Sequence, residues 1–305
     1  MTFKGTRATN RHALRVNNPA RRALAGGARR IRIGAMLSIP GIRLGTSAFI
    51  ADGWVGSFYP EGTGSAEYLG LYAQRFNTVE VDSTYYRTPA LSTIHRWGEK
   101  TPEGFLFAAK VPHVITHQKV LVNCYREFHQ FVETMDCLGD KLGPLLFQFP
   151  YFNKKTFKSG EEFVERLRPF LKKLPAGHRF AVEIRNKHWL SAPFFDLLRE
   201  RGVAFALIDH PWMPRPTELF ERFDPITASF TYVRWLGDRK EIEGQTKTWG
   251  RVIVNRESEL AEWVGVLRKV QKLSVQIFAF ANNHYAGHGP ATVELFAKIW
   301  GGGGR

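Results

Sequence analysis

The chain has 305 residues, of which 44% are apolar, and this is enough to build the core of one large domain. The composition therefore excludes a protein that is disordered over most of its length. Two cysteines cannot form a disulfide framework in a chain of this length, so a reducing, cytoplasmic location is predicted. No run of about 18 consecutive apolar residues occurs, and no association with a membrane is predicted.

The formal net charge of +15 is concentrated near the amino terminus. Residues 1–35 contain nine Lys or Arg and no Asp or Glu, whereas the remainder has 34 basic and 28 acidic residues, a net charge of +6. Three interpretations of this segment compete: a nucleic-acid-binding arm, a transit peptide, or sequence before a translation start at Met36, which the pattern favours. We predict a basic, disordered segment over 1–35, which is retained, cleaved or never translated, a domain over 36–300 and a flexible end over 301–305.

In chain order, short apolar runs typical of strands alternate eight times with longer segments of helical periodicity. The predicted strands are 42–47, 78–83, 105–111, 145–149, 179–185, 203–209, 230–236 and 275–282. Parallel strands need crossover connections, which are usually helices. Eight such units over about 265 residues predict a single (β/α)8 TIM-type barrel of the α/β class, because doubly wound open sheets usually have fewer strands. A cluster of prolines predicts a loop or a short helix in the sixth unit.

Polar side chains recur where the predicted strands end. In barrels of this type, catalytic groups lie at the carboxyl ends of the strands and in the loops that follow them. The polar residues at these ends are Ser47, Glu80, Asp82, Lys110, Gln148, Glu183, Arg185, Asp209, Arg234, Asn282 and Asn283. A carboxylate inside an apolar strand, as at Glu80 and Glu183, is unfavourable to bury unless a cation neutralises it. The sequence therefore predicts a charged site at this end of the barrel.

Two interpretations of this site stay open. In the first, the catalytic residues are Glu80, Glu183, Lys110 and His117, with the carboxylates acting as acid and base or holding a cation. The substrate-binding residues are then Gln148, Arg185, Asp209, Arg234, Asn283 and Tyr86, and the cationic side chains neutralise an anionic substrate. In the second, the same charges form a structural ion-pair network that plugs the barrel.

The cofactor that these residues allow is a single divalent cation, Mg²⁺ or Mn²⁺. Carboxylate oxygens suit such hard cations, and the candidate ligands are Glu80, Glu183 and Asp209. The sequence has no His-rich cluster and no HExxH motif, so it does not indicate zinc. It also has no nucleotide-cofactor motif of the GxxxxGK[ST] kind and no GxSxG nucleophile motif.

Aromatic side chains also follow several of the predicted strands. Tyr85 and Tyr86 follow the second strand, and Trp189 and Trp212 follow later ones. Such rings can stack on a base or a sugar, or they can anchor the loops on the barrel. Both roles stay open for each ring.

Several motifs in these segments resemble those of a known family. Residues 76–86 read FNTVEVDSTYY, residues 138–150 read LGDKLGPLLFQFP and residues 181–185 read AVEIR. In this order they resemble the DUF72 (YecE-like) proteins, TIM-type barrels whose biochemical function is undetermined. The resemblance implies a shared rim of Glu80, Lys110, His117, Gln148, Glu183, Arg185 and Arg234. The chain departs from the family pattern at Leu236, where histidine is usual, and a catalytic role of that histidine would imply altered activity here.

From these observations we predict an enzyme that acts on an anionic, phosphate-bearing substrate at the barrel rim. By analogy of fold alone, isomerase or phosphodiesterase (nuclease-like) chemistry is the first candidate. The alternatives are a nucleic-acid-binding module without chemistry and a protein-interaction scaffold with an ion-pair plug. The predicted partner is thus an anionic small molecule or a nucleic acid.

Overall fold

A computed structural model describes residues 36–273 and 275–302 of the chain. These residues form eight strands in parallel pairs, namely β1 (Ile42–Thr46), β2 (Thr78–Val81), β3 (Leu106–Lys110), β4 (Leu142–Gln148), β5 (Phe180–Glu183), β6 (Ala204–Asp209), β7 (Phe230–Trp235) and β8 (Gln276–Ala281). The strand order is β1-β8-β7-β6-β5-β4-β3-β2, so the first strand pairs with the last. The sheet therefore curls into the predicted (β/α)8 barrel, and the predicted fold is confirmed. The predictions for residues 1–35 and 303–305 lie outside the described residues.

Helices connect the strands and pack their apolar faces against the sheet. They are α1 (Tyr68–Tyr72), α2 (Leu91–Glu99), α3 (Tyr125–Asp136), α4 (Gly160–Leu171), α5 (Ala192–Glu200), α6 (Pro216–Arg222), α7 (Arg239–Gln245), α8 (Glu257–Gln271), α9 (Asn283–Ala286) and α10 (Gly289–Gly302). In α3, Phe128, Phe131 and Met135 recur at helical spacing, and all three are buried. The sixth connection holds the short helix α6, which begins at a proline as helix starts often do. The last helix reaches Gly302, inside the segment predicted to be a flexible end.

A side chain bridges β1 and β2, where the two ends of the sheet meet. The Tyr72 hydroxyl accepts a hydrogen bond from the backbone N–H of Thr46 (2.8 Å) and donates one to the carbonyl oxygen of Thr78 (3.2 Å). A Cβ atom at position 45 would lie 2.1 Å from that same carbonyl oxygen, so the close approach of the two strands requires Gly45. Tyr72 thus satisfies buried backbone groups that a strand ladder would otherwise satisfy.

Candidate functional site

Arg234 lies at the centre of a buried ion-pair network inside the barrel. It belongs to β7, whereas Glu80 belongs to β2 and Glu183 to β5. Its Nη2 atom lies 2.7 Å from Glu80 Oε1, and its Nη1 atom lies 2.6 Å from Glu183 Oε2. None of the three side chains is more than 1% exposed. One guanidinium group therefore forms ion pairs with two buried carboxylates from different sides of the barrel.

Neighbouring side chains complete the hydrogen bonding of this network. The Tyr232 hydroxyl donates to Glu80 Oε2 at 2.6 Å, and Arg185 Nη2 lies 2.6 Å from Glu183 Oε1. Gln148 Oε1 accepts a longer bond, 3.3 Å, from Arg234. Each of the four carboxylate oxygens thus has a hydrogen-bond donor, as buried polar atoms require.

The network holds both glutamates in their ionised form. Burial opposes the ionisation of Glu183, but the adjacent Arg185 and Arg234 outweigh it and lower the pKa to about 2. Burial also opposes the ionisation of Glu80, and the charges of Arg234 and Lys110 again lower its pKa below the usual value. Both carboxylates are therefore charged at neutral pH, far from the range in which they would exchange protons readily.

Asp82 lies closer to the mouth of the barrel and differs from the two glutamates. It is the first residue of a short 3-10 helix, Asp82–Tyr85, that directly follows β2. Its Oδ1 atom lies 3.0 Å from Lys110 Nζ, and a third of its side chain (33%) is exposed. Partial burial raises the pKa of Asp82 to about 6, because the attraction of Lys110 only partly offsets it and the charge of Glu80 adds to it. Asp82 can therefore gain or lose a proton near neutral pH.

A cavity of about 470 Å³ opens above the network at the carboxyl end of the barrel. Its wall consists of Asp82, Tyr85, Tyr86, Lys110, Gln148, Arg185, His210, Arg234, Leu236, Gly237, Arg239, Asn282 and His284. Four of these side chains are cationic and one is a carboxylate, while the neutralising Glu80 and Glu183 are fully buried beneath. A ligand in this cavity would therefore meet a positively charged surface.

Eight of the ten predicted site residues meet at or beside this cavity. Lys110, Gln148, Arg185, Arg234 and Tyr86 line it, and the network beneath contains Glu80 and Glu183. His117 touches Tyr85, a residue of the cavity wall, with the ring centroids 5.1 Å apart. The other two predicted residues, Asp209 and Asn283, do not line this cavity.

His117 lies in a single π-helical turn, Val114–Gln118, after β3. Its Nδ1 atom lies 2.8 Å from the hydroxyl oxygen of Thr116, within hydrogen-bond distance. Burial lowers the pKa of His117 to about 4, and the positive charge of Lys110 contributes. The ring is therefore neutral at pH 7, and it supports Tyr85 from outside the cavity wall.

Asp209 does not join the two glutamates, so the predicted three-carboxylate metal site is not formed. It is in register with Trp235, which packs outward against α10, whereas the preceding residue of β7, Arg234, faces the barrel interior. Its carboxylate accepts hydrogen bonds from Trp263 Nε1 (2.7 Å) and the Tyr285 hydroxyl (2.9 Å) and pairs with an arginine. In the part of the chain that the structure describes, no group of three or more His, Cys, Asp or Glu side chains could hold a metal ion.

Asn283, predicted to bind substrate, instead uses its side chain to hold the start of α10. Its Oδ1 atom accepts a hydrogen bond from the backbone N–H of Gly289, the first residue of α10, at 2.8 Å. The neighbouring Asn282 lines the cavity instead. Leu236 also lines the cavity, so the position predicted to depart from the family pattern is an apolar part of the wall.

The predicted site residues did not include six polar members of the cavity wall, namely Asp82, Tyr85, His210, Arg239, Asn282 and His284. His210 directly follows β6, and this position after a strand end is the signal that points to it. Its Nδ1 atom accepts a hydrogen bond from the backbone N–H of Trp212 at 3.2 Å. Burial, with the nearby charge of Arg185, lowers its pKa to about 4. The neutral ring therefore carries its proton on Nε2.

Fold and site together define a (β/α)8 barrel protein with a positively charged cavity at the carboxyl ends of its strands. The chain belongs to the DUF72 family, described as "Protein of unknown function DUF72", which matches residues 43–304. It is 26% identical over 255 residues to UPF0759 protein YunF of Bacillus subtilis, covering 76% of this chain and 86% of YunF. It is 31% identical over 146 residues to UPF0759 protein YecE of Escherichia coli K12, covering 46% of this chain and 52% of YecE.

Solved structures of the same family share the fold. The crystal structure of a DUF72 family protein from Thermotoga maritima matches with a TM-score of 0.64 and 25% identity, covering 84% of this chain and 97% of that one. The DUF72 protein from Enterococcus faecalis matches with a TM-score of 0.61 and 21% identity, covering 88% and 98%. These similarities confirm the predicted family and barrel.

No helix within residues 36–273 and 275–302 combines the length and the apolar character needed to cross a membrane. The cytoplasmic location stays a prediction.

Proposed function

We propose that the protein is an enzyme that acts on a small, phosphate-bearing anion bound in the carboxyl-end cavity. One observation carries this proposal: a partly exposed carboxyl group, Asp82, with a pKa raised to about 6, lies 3.0 Å from the cation Lys110. A group that titrates near neutral pH, placed beside a cation in a cleft, is typical of catalytic proton transfer.

Four cations line the cavity, and we assign two of them, Arg185 and Lys110, to the phosphate group, because Arg239 is 74% exposed and pairs with Glu243 on the surface. Arg185 uses Nε and Nη2 on Glu183 (2.7 and 2.6 Å), and its Nη1 atom makes no hydrogen bond to another described residue. Lys110 has Asp82 as its ion-pair partner, and its side chain is 10% exposed. The planar guanidinium and the compact ammonium group suit phosphate oxygens in different geometries. Arg234, by contrast, is committed to the buried glutamates.

The chemistry that these groups support is an isomerisation through proton transfer. Asp82 would remove the carbon-bound proton from a hydroxyl-bearing carbon next to a carbonyl group and return it to the carbonyl carbon, while the hydroxyl group gives up its proton and the former carbonyl oxygen gains one, so the substrate is isomerised without an external oxidant or reductant. Lys110 would stabilise the negative charge that develops on the carbonyl oxygen. In phosphodiester hydrolysis, the other predicted chemistry, the same Asp82 would activate a water molecule, and the proton-exchange experiment below distinguishes the two reactions. In this proposal Glu80 and Glu183, predicted to be acid and base, position the cations.

Ligand binding tests the cavity. We would measure the affinity of inorganic phosphate, ribose 5-phosphate and glucose 6-phosphate by calorimetry for the wild-type protein, Lys110→Met and the control Lys298→Met, which removes an exposed lysine of α10. A phosphate compound is expected to bind, about tenfold or more weakly to Lys110→Met, and equally to the control. Absence of binding, or equal binding to all three proteins, would reject the phosphate site.

Proton exchange tests the chemistry. In D2O, proton NMR should show loss of the signal of the carbon-bound hydrogen next to the carbonyl of a bound sugar phosphate. The exchange is expected to disappear in Asp82→Asn while the affinity for phosphate compounds remains. Exchange at the wild-type rate in Asp82→Asn would assign the proton transfer to another group.

The complete pairing of both buried glutamates favours a second candidate, a non-catalytic scaffold. All four carboxylate oxygens are satisfied within the protein, as an ion-pair plug requires. This candidate predicts that Asp82→Asn and Lys110→Met have no effect in any ligand assay. The two measurements above therefore separate it from the enzyme.

A further inference from the structure

Two exposed aromatic side chains border the cavity on one side. Tyr151 follows β4 and is 59% exposed, and Trp212 follows β6 and is 56% exposed. Their rings are in edge-to-face contact with centroids 5.9 Å apart, and Trp212 contacts His210 in the same way at 5.1 Å. Because His210 lines the cavity, the three rings form a continuous aromatic surface from solvent to the cavity wall.

A cleft of about 680 Å³ lies beside these rings. Its wall includes both exposed rings and four cations against one carboxylate, namely Tyr151, Trp212, Lys154, Lys158, Arg185 and Lys187 against Glu161. Arg185 lines the central cavity as well, so the cleft and the cavity share a wall. A ligand that extends from the cavity along Arg185 would therefore enter the cleft.

The composition of this cleft indicates what kind of group it takes. Neighbouring exposed aromatic rings form an apolar surface of the kind that marks binding sites. Their flat faces suit the stacking of a heteroaromatic base, and the cations around them suit an anionic ligand.

The dimensions and the charge favour a small ligand over a polymer. Both spaces fall within the range of roughly 300–1,000 Å³ that is typical of small-molecule sites. Residues 36–305 carry a net charge of only +6, which is modest for a nucleic-acid-binding surface.

We infer that the substrate is a sugar phosphate that also carries a heteroaromatic ring, with its phosphate at Lys110 and Arg185 and its ring stacked on the exposed face of Trp212, beside the edge-to-face Tyr151. Nucleotides have the phosphate, the sugar and the ring but no free carbonyl group, so they serve as unreactive probes of this binding. This inference rests on the proposed function for the place of the phosphate group. Tyr151 and Trp212 add the substrate class. They lie outside the central cavity, in the cleft that shares Arg185 with it, so a ligand whose phosphate lies at Arg185 can reach both rings.

The test compares ligands that differ only in the base. The affinities of ribose 5-phosphate and of the four ribonucleoside 5′-monophosphates would be measured by calorimetry for the wild-type protein, Trp212→Ala and Trp212→Phe. The control is Leu273→Ala, which removes a similarly exposed apolar side chain (61%) between α8 and β8, at the other end of the barrel. At least one nucleotide is expected to bind about tenfold or more tightly than ribose 5-phosphate, a preference that Trp212→Ala removes and Trp212→Phe largely retains.

The outcomes separate this inference from the proposed function. Equal binding of ribose 5-phosphate and all four nucleotides, unchanged in Trp212→Ala but weakened in Lys110→Met, would overturn the inferred ring-binding site and leave the phosphate site standing. Nucleotide binding that Trp212→Ala weakens and Lys110→Met does not would support base stacking and reject the phosphate site. An oligonucleotide that binds about a hundredfold more tightly than its mononucleotide, with affinity falling steeply as salt rises, would overturn the inference in favour of single-stranded nucleic acid.

Discussion

The carboxyl end of the barrel contains two layers of charged side chains whose surroundings differ. The inner layer is the buried set, which consists of Tyr232, Glu80, Glu183 and Arg234. The outer layer lies at the cavity wall and consists of Asp82, Lys110 and Arg185. Charged side chains of the inner layer are at most 1% exposed, whereas those of the outer layer are 10–33% exposed. The two layers therefore have different roles. Complete pairing holds the inner side chains in one charge state, whereas the partly solvated outer side chains can contact a ligand or exchange a proton.

The largest effect on stability is expected from removing the cation of the inner layer. Arg234→Met would leave two buried carboxylates without their common partner, and we expect it to lower the free energy of unfolding by about 3–5 kcal/mol. Urea denaturation measures this loss. The matched control is Arg239→Met at the cavity wall, where the side chain is 74% exposed and, among the residues that the structure describes, forms an ion pair only with Glu243 on the surface. It should leave the stability nearly unchanged, and a similarly small effect of Arg234→Met would contradict the assigned role of the inner layer.

The next effect concerns the stability of the folded protein in acid. The folded-state pKa of Glu183 is about 2, below its usual value of 4.5, so its ionised form stabilises the native state above pH 4.5. That stabilisation, on the order of 3 kcal/mol, should be lost as the pH falls from 4.5 to 2. Urea denaturation at a series of pH values would give the free energy of unfolding at each pH. Between pH 4.5 and pH 2 this free energy should fall less steeply with decreasing pH for Glu183→Gln than for the wild-type protein. An equal dependence of the free energy of unfolding on pH in both proteins would mean that Glu183 is not held in its ionised form.

A smaller loss of stability is expected from the hydroxyl group of the inner layer. Tyr232→Phe removes the donor to Glu80 Oε2 (2.6 Å), a charge-assisted hydrogen bond whose loss should lower the free energy of unfolding by about 2 kcal/mol. The control is Tyr59→Phe, because the buried Tyr59 hydroxyl donates to a neutral acceptor, the carbonyl oxygen of Phe49. The loss for Tyr232→Phe should exceed that of the control, and equal losses would show that the charge of Glu80 adds nothing.

These layers also mark how far the sequence alone could predict the site. The strands and most of the rim residues followed from apolar runs and from polar residues at strand ends, which are local features. The pairing of Arg234 with Glu80 and Glu183 joins positions 154 and 51 residues apart, and it depends on how the barrel closes. Asp209 was misplaced for a related reason, because alternate residues of a strand face opposite sides and a shift of one residue exchanges them.

Asp82→Asn is expected to have the smallest effect on stability. It is also expected to have the largest effect on function. The folded-state pKa of Asp82 is about 6, above its usual value of 3.8, so this carboxyl group destabilises the native state as the pH rises from about 4 to about 6, the opposite sign to Glu183. Asp82→Asn should remove this decline and leave the stability at pH 7 equal to or slightly above that of the wild-type protein.

The pH dependence of proton exchange would connect that titration to chemistry. If Asp82 is the base, the exchange rate of the wild-type protein should rise through a pKa near 6, and Asp82→Asn should have no such limb because the amide does not titrate. Glu80 is the useful comparison, since its two oxygens are bound by Arg234 and Tyr232. Glu80→Gln should lower the free energy of unfolding. Because it removes a negative charge next to Asp82, it should also shift the midpoint of the rate profile to a slightly lower pH, and it should leave the limb itself in place. An upward shift, or loss of the limb in Glu80→Gln alone, would transfer the role of the base from the outer layer to the inner one.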